Sequence, residues 1–129
     1  MYAQSSGDAI LGTWFTENGK AKVNVYKENS KYHGRIIWLR DSLNAEGKPK
    51  LDKHNPDAKL KTRTVKGILV VRDFQWEGDN LWENGKIYDP ENGKDYSCKM
   101  TLTDSNTLEV RGFIGISLIG RTTIWKRKL

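Results

Sequence analysis

Cysteine is almost missing from this chain. Cys98 stands alone among 129 residues, which excludes an internal disulfide framework and a cysteine-built metal knuckle. Within an alternating apolar run, Cys98 reads as a small buried hydrophobe. Histidine is nearly as scarce: His33 and His54 lack the paired spacing of zinc ligands, and each reads as a surface or rim residue. No apolar run approaches the ~18 residues a membrane-spanning helix needs. There is no Gly-x-Ser-x-Gly elbow for a nucleophilic serine, and no nucleic-acid-binding motif. The expectation is a chain with no metal, no cofactor and no nucleic-acid partner.

What is present favours strands. A 36% hydrophobic and 29% charged composition suits a thin barrel or sandwich, in which each strand buries one side only. The length fits one domain. Net charge is +6, and residues 48–66 concentrate part of it: Lys48, Lys50, Lys53, Lys59, Lys61, Arg63 and Lys66 against Asp52 and Asp57. Such a patch adds salt-sensitive attraction to polyanions or membrane headgroups, although surface lysines also serve solubility. Residues 1–7, Met-Tyr-Ala-Gln-Ser-Ser-Gly, resemble the region around a signal-peptidase cut with the preceding apolar segment missing. Residues 1–9 are therefore expected to be a disordered remnant of an exported, periplasmic or extracellular protein, with residues 10–128 forming one barrel.

Alternating segments run nearly end to end. They cover 10–16, 21–27, 31–39, 67–76, 81–89, 95–103, 107–114 and 117–126, separated by Asn/Gly/Asp-rich turns. Asn-Gly-Lys occurs twice within residues 82–96. Its first copy, at Asn84-Gly85, reads as a bulge inside a strand, and its second, at Asn92-Gly93, as the hairpin turn. The 42–67 connection is too long for a plain loop. Asn55-Pro56-Asp57-Ala58-Lys59-Leu60-Lys61 predicts one or two helical turns from about residue 56, capped by Asn55. Eight short strands with short turns predict an all-β, eight-stranded antiparallel up-and-down β-barrel.

The combination Gly12-x-Trp14, Asp52-x-x-Asn55-Pro56-Asp57, Arg63, Gly67, Trp82-x-x-Gly85-x-Ile87-Tyr88-Asp89-Pro90-x-x-Gly93-x-x-Tyr96, Val110-Arg111-Gly112-x-Ile114-Gly115 and Leu118-x-Gly120-Arg121-x-x-x-Trp125 resembles the bacterial domain-of-unknown-function 2147 family. That resemblance implies a small exported protein without an assigned activity. Many members have Pro after the residue matching Arg63, where this chain has Thr64. Gly12-x-Trp14 with Arg121 is also similar to lipocalin-like barrels, in which such a Trp packs under an Arg at the closed end.

Three functional readings compete. In the first, a non-enzymatic module binds a small amphiphilic or acidic ligand, with Trp82, Tyr88 and Tyr96 lining a barrel mouth, beside Trp38 and Trp76, and with Arg63 and Arg111 meeting the acid. In the second, an enzyme of cell-envelope sugars uses paired carboxylates among Asp73, Glu83, Asp89 and Asp95. In the third, the chain is a scaffold whose basic loop contacts an anionic surface. Asp52, Asn55 and Asp57 offer oxygens to a hard cation, but a capped helix start explains Asn55 and Asp57 without one.

Overall fold

The computed structural model describes residues 6–116 and 119–129. Eight strands, β1 (Gly12–Phe15), β2 (Ala21–Glu28), β3 (Lys31–Leu39), β4 (Leu69–Trp76), β5 (Leu81–Asp89), β6 (Lys94–Asp104), β7 (Thr107–Phe113) and β8 (Gly120–Arg127), follow one another around a closed barrel. Each pairs antiparallel with the next, and β8 returns to β1 through Trp14↔Arg127 and Phe15↔Lys126. Closure leaves no unpaired sheet edge. Period-two patterning explains the wall: in β2, Ala21, Val23 and Val25 are buried while the intervening Lys22, Asn24 and Tyr26 are not.

The two Asn-Gly-Lys copies do different jobs. Asn84 takes φ 64° and the β5–β6 register slips between Trp82 and Gly85, so the first copy is a bulge. It turns both Trp82 and Gly85 inward. A Cβ on Gly85 would lie 2.5 Å from the Phe74 ring, so the aromatic packs directly on bare backbone. The second copy closes the β5–β6 hairpin: Gly93, at φ 73°, donates its N–H to the Asp89 carbonyl at 2.7 Å.

One end of the barrel is sealed by the chain's own start. Gly7–Ile10 forms a 3-10 turn whose Gly7 and Ile10 are buried. Trp14 donates its indole N–H to the Ile10 carbonyl at 2.9 Å, and Trp82 donates to the Gly7 carbonyl at 3.2 Å. Asp8 accepts from the Tyr32 hydroxyl at 2.6 Å and from Lys27 at 3.1 Å. The expectation of disorder through residue 9 is thus corrected from Ser6 onward, because these side-chain bonds hold the segment across the barrel floor. Residues 1–5 lie outside the described residues.

The arginine over Trp14 is Arg127, not the Arg121 the sequence pattern singles out. Its guanidinium lies 4.3 Å from the Trp14 ring centroid and donates to the carbonyls of Leu11 and Ala9, at 2.8 and 2.5 Å. Register decides this: Trp14 pairs with Arg127, whereas Arg121 pairs with Gly112, roughly 20 Å further along β8 at ~3.3 Å per residue. Arg121 instead meets Glu17 in an exposed ion pair.

The helix expected from residue 56 is also shorter than predicted. It is a three-residue 3-10 turn, Ala58–Leu60, and its N-cap is Asp57, whose carboxylate accepts from the Lys59 N–H at 3.0 Å. Asn55 is drawn elsewhere, as the next subsection describes.

Candidate functional site

The β1–β2, β3–β4, β5–β6 and β7–β8 connections all lie at the end opposite the sealed floor. The longest, residues 40–68, is folded back against the outer wall by a buried polar cluster. Asp52 is fully buried. Its carboxylate accepts from the Tyr88 hydroxyl at 2.6 Å, Asn55 Nδ2 at 2.9 Å and Arg63 Nε at 3.0 Å. Its backbone N–H donates to the Arg63 carbonyl at 2.9 Å and its carbonyl accepts from the Asn55 N–H at 3.1 Å. Asn55 Oδ1 then accepts from the Asp57 N–H at 2.8 Å. Asn55 therefore organises an Asx turn rather than capping the helix.

Tyr88 reaches this cluster because of strand parity. Cys98 faces the interior, as do its cross-strand partners Gly85 and Gly112. By alternation Ile87 and Tyr96 also face inward, which points Tyr88 outward, under the 52–63 segment. Burial alone would raise the Asp52 carboxyl. The bonds from Tyr88, Asn55 and Arg63, with the Arg63 charge, outweigh it and hold the group below its ordinary value. Burial and the bond to Asp52 push the Tyr88 hydroxyl up to about 12. The Arg63 guanidinium lies 5.7 Å from the Tyr88 ring centroid.

Beside this cluster, Arg63, Pro56, Tyr88 and Arg72 border a depression of about 350 Å³. Arg72 grips Asp95 through two hydrogen bonds, at 2.9 and 2.6 Å. Among the described residues the Arg63 side chain hydrogen-bonds through Nε alone, so its two terminal amino groups face the depression for a ligand or water.

The sequence-predicted ligand residues do not converge. Trp82 is part of the sealed floor, fully buried and bonded to Gly7. Tyr88 is tied to Asp52 on the outer wall. Arg111 lies on the outer wall too, donating to Thr122 Oγ1 at 2.8 Å. Tyr96 faces the interior near the mouth, half-buried, its hydroxyl accepting from Asn92 Nδ2 at 2.9 Å. The structure joins Arg63 and Tyr88 with Asp52 and Asn55, and leaves Trp82, Tyr96 and Arg111 apart. Of the carboxylates weighed for catalysis, Asp95 and Asp73 both meet Arg72, the first through two hydrogen bonds and the second at 3.9 Å, and Asp89 Oδ1 accepts from the Glu91 N–H at 2.9 Å.

Interior packing loosens on the β5–β7 side of the mouth, whereas Ala21, Ile36 and Ile68 keep the β2–β4 side buried. Trp14, Phe74 and Trp82 are fully buried toward the floor, whereas the inward-facing Ile87 and Tyr96 are only half-buried. Gly112 adjoins both: a Cβ there would lie 3.4 Å from Ile87 and 3.7 Å from Tyr96. Ile87 and Gly112 are matched within the family pattern, yet parity shared with Cys98 was the only sequence signal that could have placed them inside.

A family model described as an uncharacterized protein conserved in bacteria, domain of unknown function 2147, matches residues 12–127, and the chain belongs to that family. No curated protein matches it. Among solved structures it is similar to protein HP1028 from Helicobacter pylori, described as belonging to the lipocalin family. The two are 26% identical over 93% of this chain and 83% of that one, with a TM-score of 0.82. The expected family and barrel are both met, and the barrel is lipocalin-like.

Proposed function

We propose that this member of the domain-of-unknown-function 2147 family is a non-enzymatic barrel that takes the apolar end of a small amphiphile into its open mouth, leaving an acidic headgroup among the basic connections around it. The observation that carries this reading is the packing gradient along β4–β7: Trp82 and Phe74 are fully buried toward the floor, while Ile87 and Tyr96 face inward at the mouth yet stay half-buried beside a glycine. An eight-stranded barrel is just wide enough to hold one small ligand where its own side chains do not fill it. Each methylene transferred from water into such a mouth contributes about 0.8 kcal/mol. The lipocalin-like architecture supports the same reading, since mouths of β-barrels are recurrent ligand sites.

The test is titration with dodecanoate and dodecyl phosphate, followed by native mass spectrometry and thermal shift, on the natural chain and on Gly112→Leu. The natural chain binds at least one of the two. The leucine fills the space beside Ile87 and Tyr96 and weakens binding at least about tenfold, with the fold intact by circular dichroism. Absence of binding by both probes, or unchanged binding in the variant, refutes the reading.

A further inference from the structure

Nine large hydrophobic side chains of the described residues are exposed, and one of them is the C-terminal Leu129. The other eight all belong to the open end. Ile37 and Trp38 lie near the end of β3, Leu43, Leu51 and Leu60 lie in the connection that follows, and Ile114, Ile116 and Ile119 lie in the β7–β8 connection. The last three are the most exposed of the eight, at 68%, 58% and 69%. The sequence from Phe113 to Gly120 carries no charge at all. Soluble monomers seldom concentrate apolar exposure in this way without a partner for it.

Charge is polarised along the same axis. The four connections at the open end hold nine Lys and Arg against six Asp and Glu, and seven of those nine lie within residues 48–66, where Asp52 is already bonded to Arg63. The segments outside the strands at the sealed end hold Asp8, Glu77 and Asp79 against Lys128. The molecule therefore presents an apolar, cationic end and a more acidic one. On the outer wall near the open end, Trp38 meets Phe15 edge-on at 6.5 Å, with Lys22 Nζ 4.7 Å from the Trp38 ring centroid. An exposed Trp beside a Lys, at the same end of the barrel as the uncharged Ile114, Ile116 and Ile119, is the residue chemistry that settles at a headgroup boundary.

We infer that the open end docks reversibly on an anionic lipid bilayer, with Ile114, Ile116 and Ile119 entering the headgroup region and the Lys-rich 48–66 segment lying on the anionic surface. A second copy of the chain is disfavoured as the occupant because two such ends would bring like charge together. Apolar insertion and electrostatic attraction are each too weak alone and add when both are offered by one face. The inference stands on exposure and charge, not on the ligand reading above, although a barrel whose mouth faces a bilayer is well placed to exchange an amphiphile with it.

The experiment is vesicle flotation with phosphatidylcholine alone and with equal parts of phosphatidylcholine and phosphatidylglycerol. The natural chain floats with the mixed vesicles and binds neutral ones at least about tenfold more weakly. High salt lowers mixed-vesicle binding by a similar factor. The triple variant Ile114→Ser, Ile116→Ser, Ile119→Ser loses at least about tenfold while keeping the melting temperature, because the replaced side chains are exposed. Gly112→Leu keeps its vesicle binding, which separates docking from ligand uptake. No flotation, equal flotation with neutral vesicles, undiminished flotation of the triple variant, or a dimer in solution that the triple variant abolishes would each overturn the inference.

Discussion

Removing the Asp52 carboxylate tests how the long β3–β4 connection is held. In Asp52→Ala the Tyr88 hydroxyl and the Asn55 amide lose their acceptor in a buried setting, at about 1–3 kcal/mol for each unsatisfied group. Arg63 is partly exposed and regains water, so its contribution is small. The sum is about 3 kcal/mol, or about 10 °C in melting temperature for a domain of this length. Because the cluster joins the 52–63 segment to β5, the loss shows first as faster hydrogen exchange at the Asn55 and Val65 amides, which donate to Asp52 and Lys50. The effect also depends on pH. A carboxyl whose folded pKa is depressed contributes stability above its unfolded value of about 3.9, and that contribution disappears as pH falls through the folded value. The gap between the natural chain and Asp52→Asn therefore narrows in acid below that range. Urea unfolding with fixed m, across pH, measures it. A loss under about 0.5 kcal/mol at neutral pH, with unchanged exchange protection, refutes the clamp.

Gly93→Ala combines a left-handed backbone with a collision against the His54 carbonyl, where the connection crosses the β5–β6 turn, and it should destabilise by at least about 2 kcal/mol in thermal unfolding. Arg127→Met keeps the stem over Trp14 but removes the donors to Leu11, Ala9 and Ser105, for a loss of about 2 kcal/mol. Arg121→Met, at an exposed pair, should stay within about 0.5 kcal/mol, and equal effects of the two would sink the assignment of Arg127 to the floor. Cys98 is buried, and burial pushes its thiol up to about 12. A thiol reagent at pH ~8 should leave it unmodified in the native protein and label it in urea, and rapid native labelling would show that the wall opens.

The barrel was legible because period-two patterning and turn residues speak locally. Strand limits at Lys31–Leu39 and Leu81–Asp89 follow directly from them, and so does the bulge at Asn84, whose positive φ suits Asn. What failed depends on register and on contacts between distant segments. Whether Arg121 or Arg127 lies over Trp14 is a matter of where β8 meets β1, which no local pattern encodes. Grouping Trp82 with Tyr88 at the mouth overlooks the consequence of the bulge between them, which reverses inside and outside along β5 so that the two cannot share a face. Asn-Pro-Asp also suits a helix start, which favours Asn55 as a cap; what draws it away is the Asp52 carboxylate, buried only because the distant Tyr88 and Arg63 also bond to it.

The family motif covers both the frame and the mouth, since Ile87, Tyr96 and Gly112 belong to it beside the residues that hold the barrel together. Most of the motif residues with a clear structural role maintain the barrel: Trp14 and Trp82 hold the floor, Gly85 admits Phe74, and Asp52, Asn55, Arg63, Tyr88 and Gly93 clamp the long connection. A clamp of this cost in buried polar groups is unnecessary for closing the barrel, since β3 and β4 already pair through Gly34↔Val71 and Arg35↔Leu69. What the clamp does achieve is to fix a lysine-rich segment beside the mouth, where a free loop of that charge would drift into solvent. Its value is then positional. Releasing it through Asp52→Ala should leave the β-sheet circular dichroism intact while weakening whatever the open end binds.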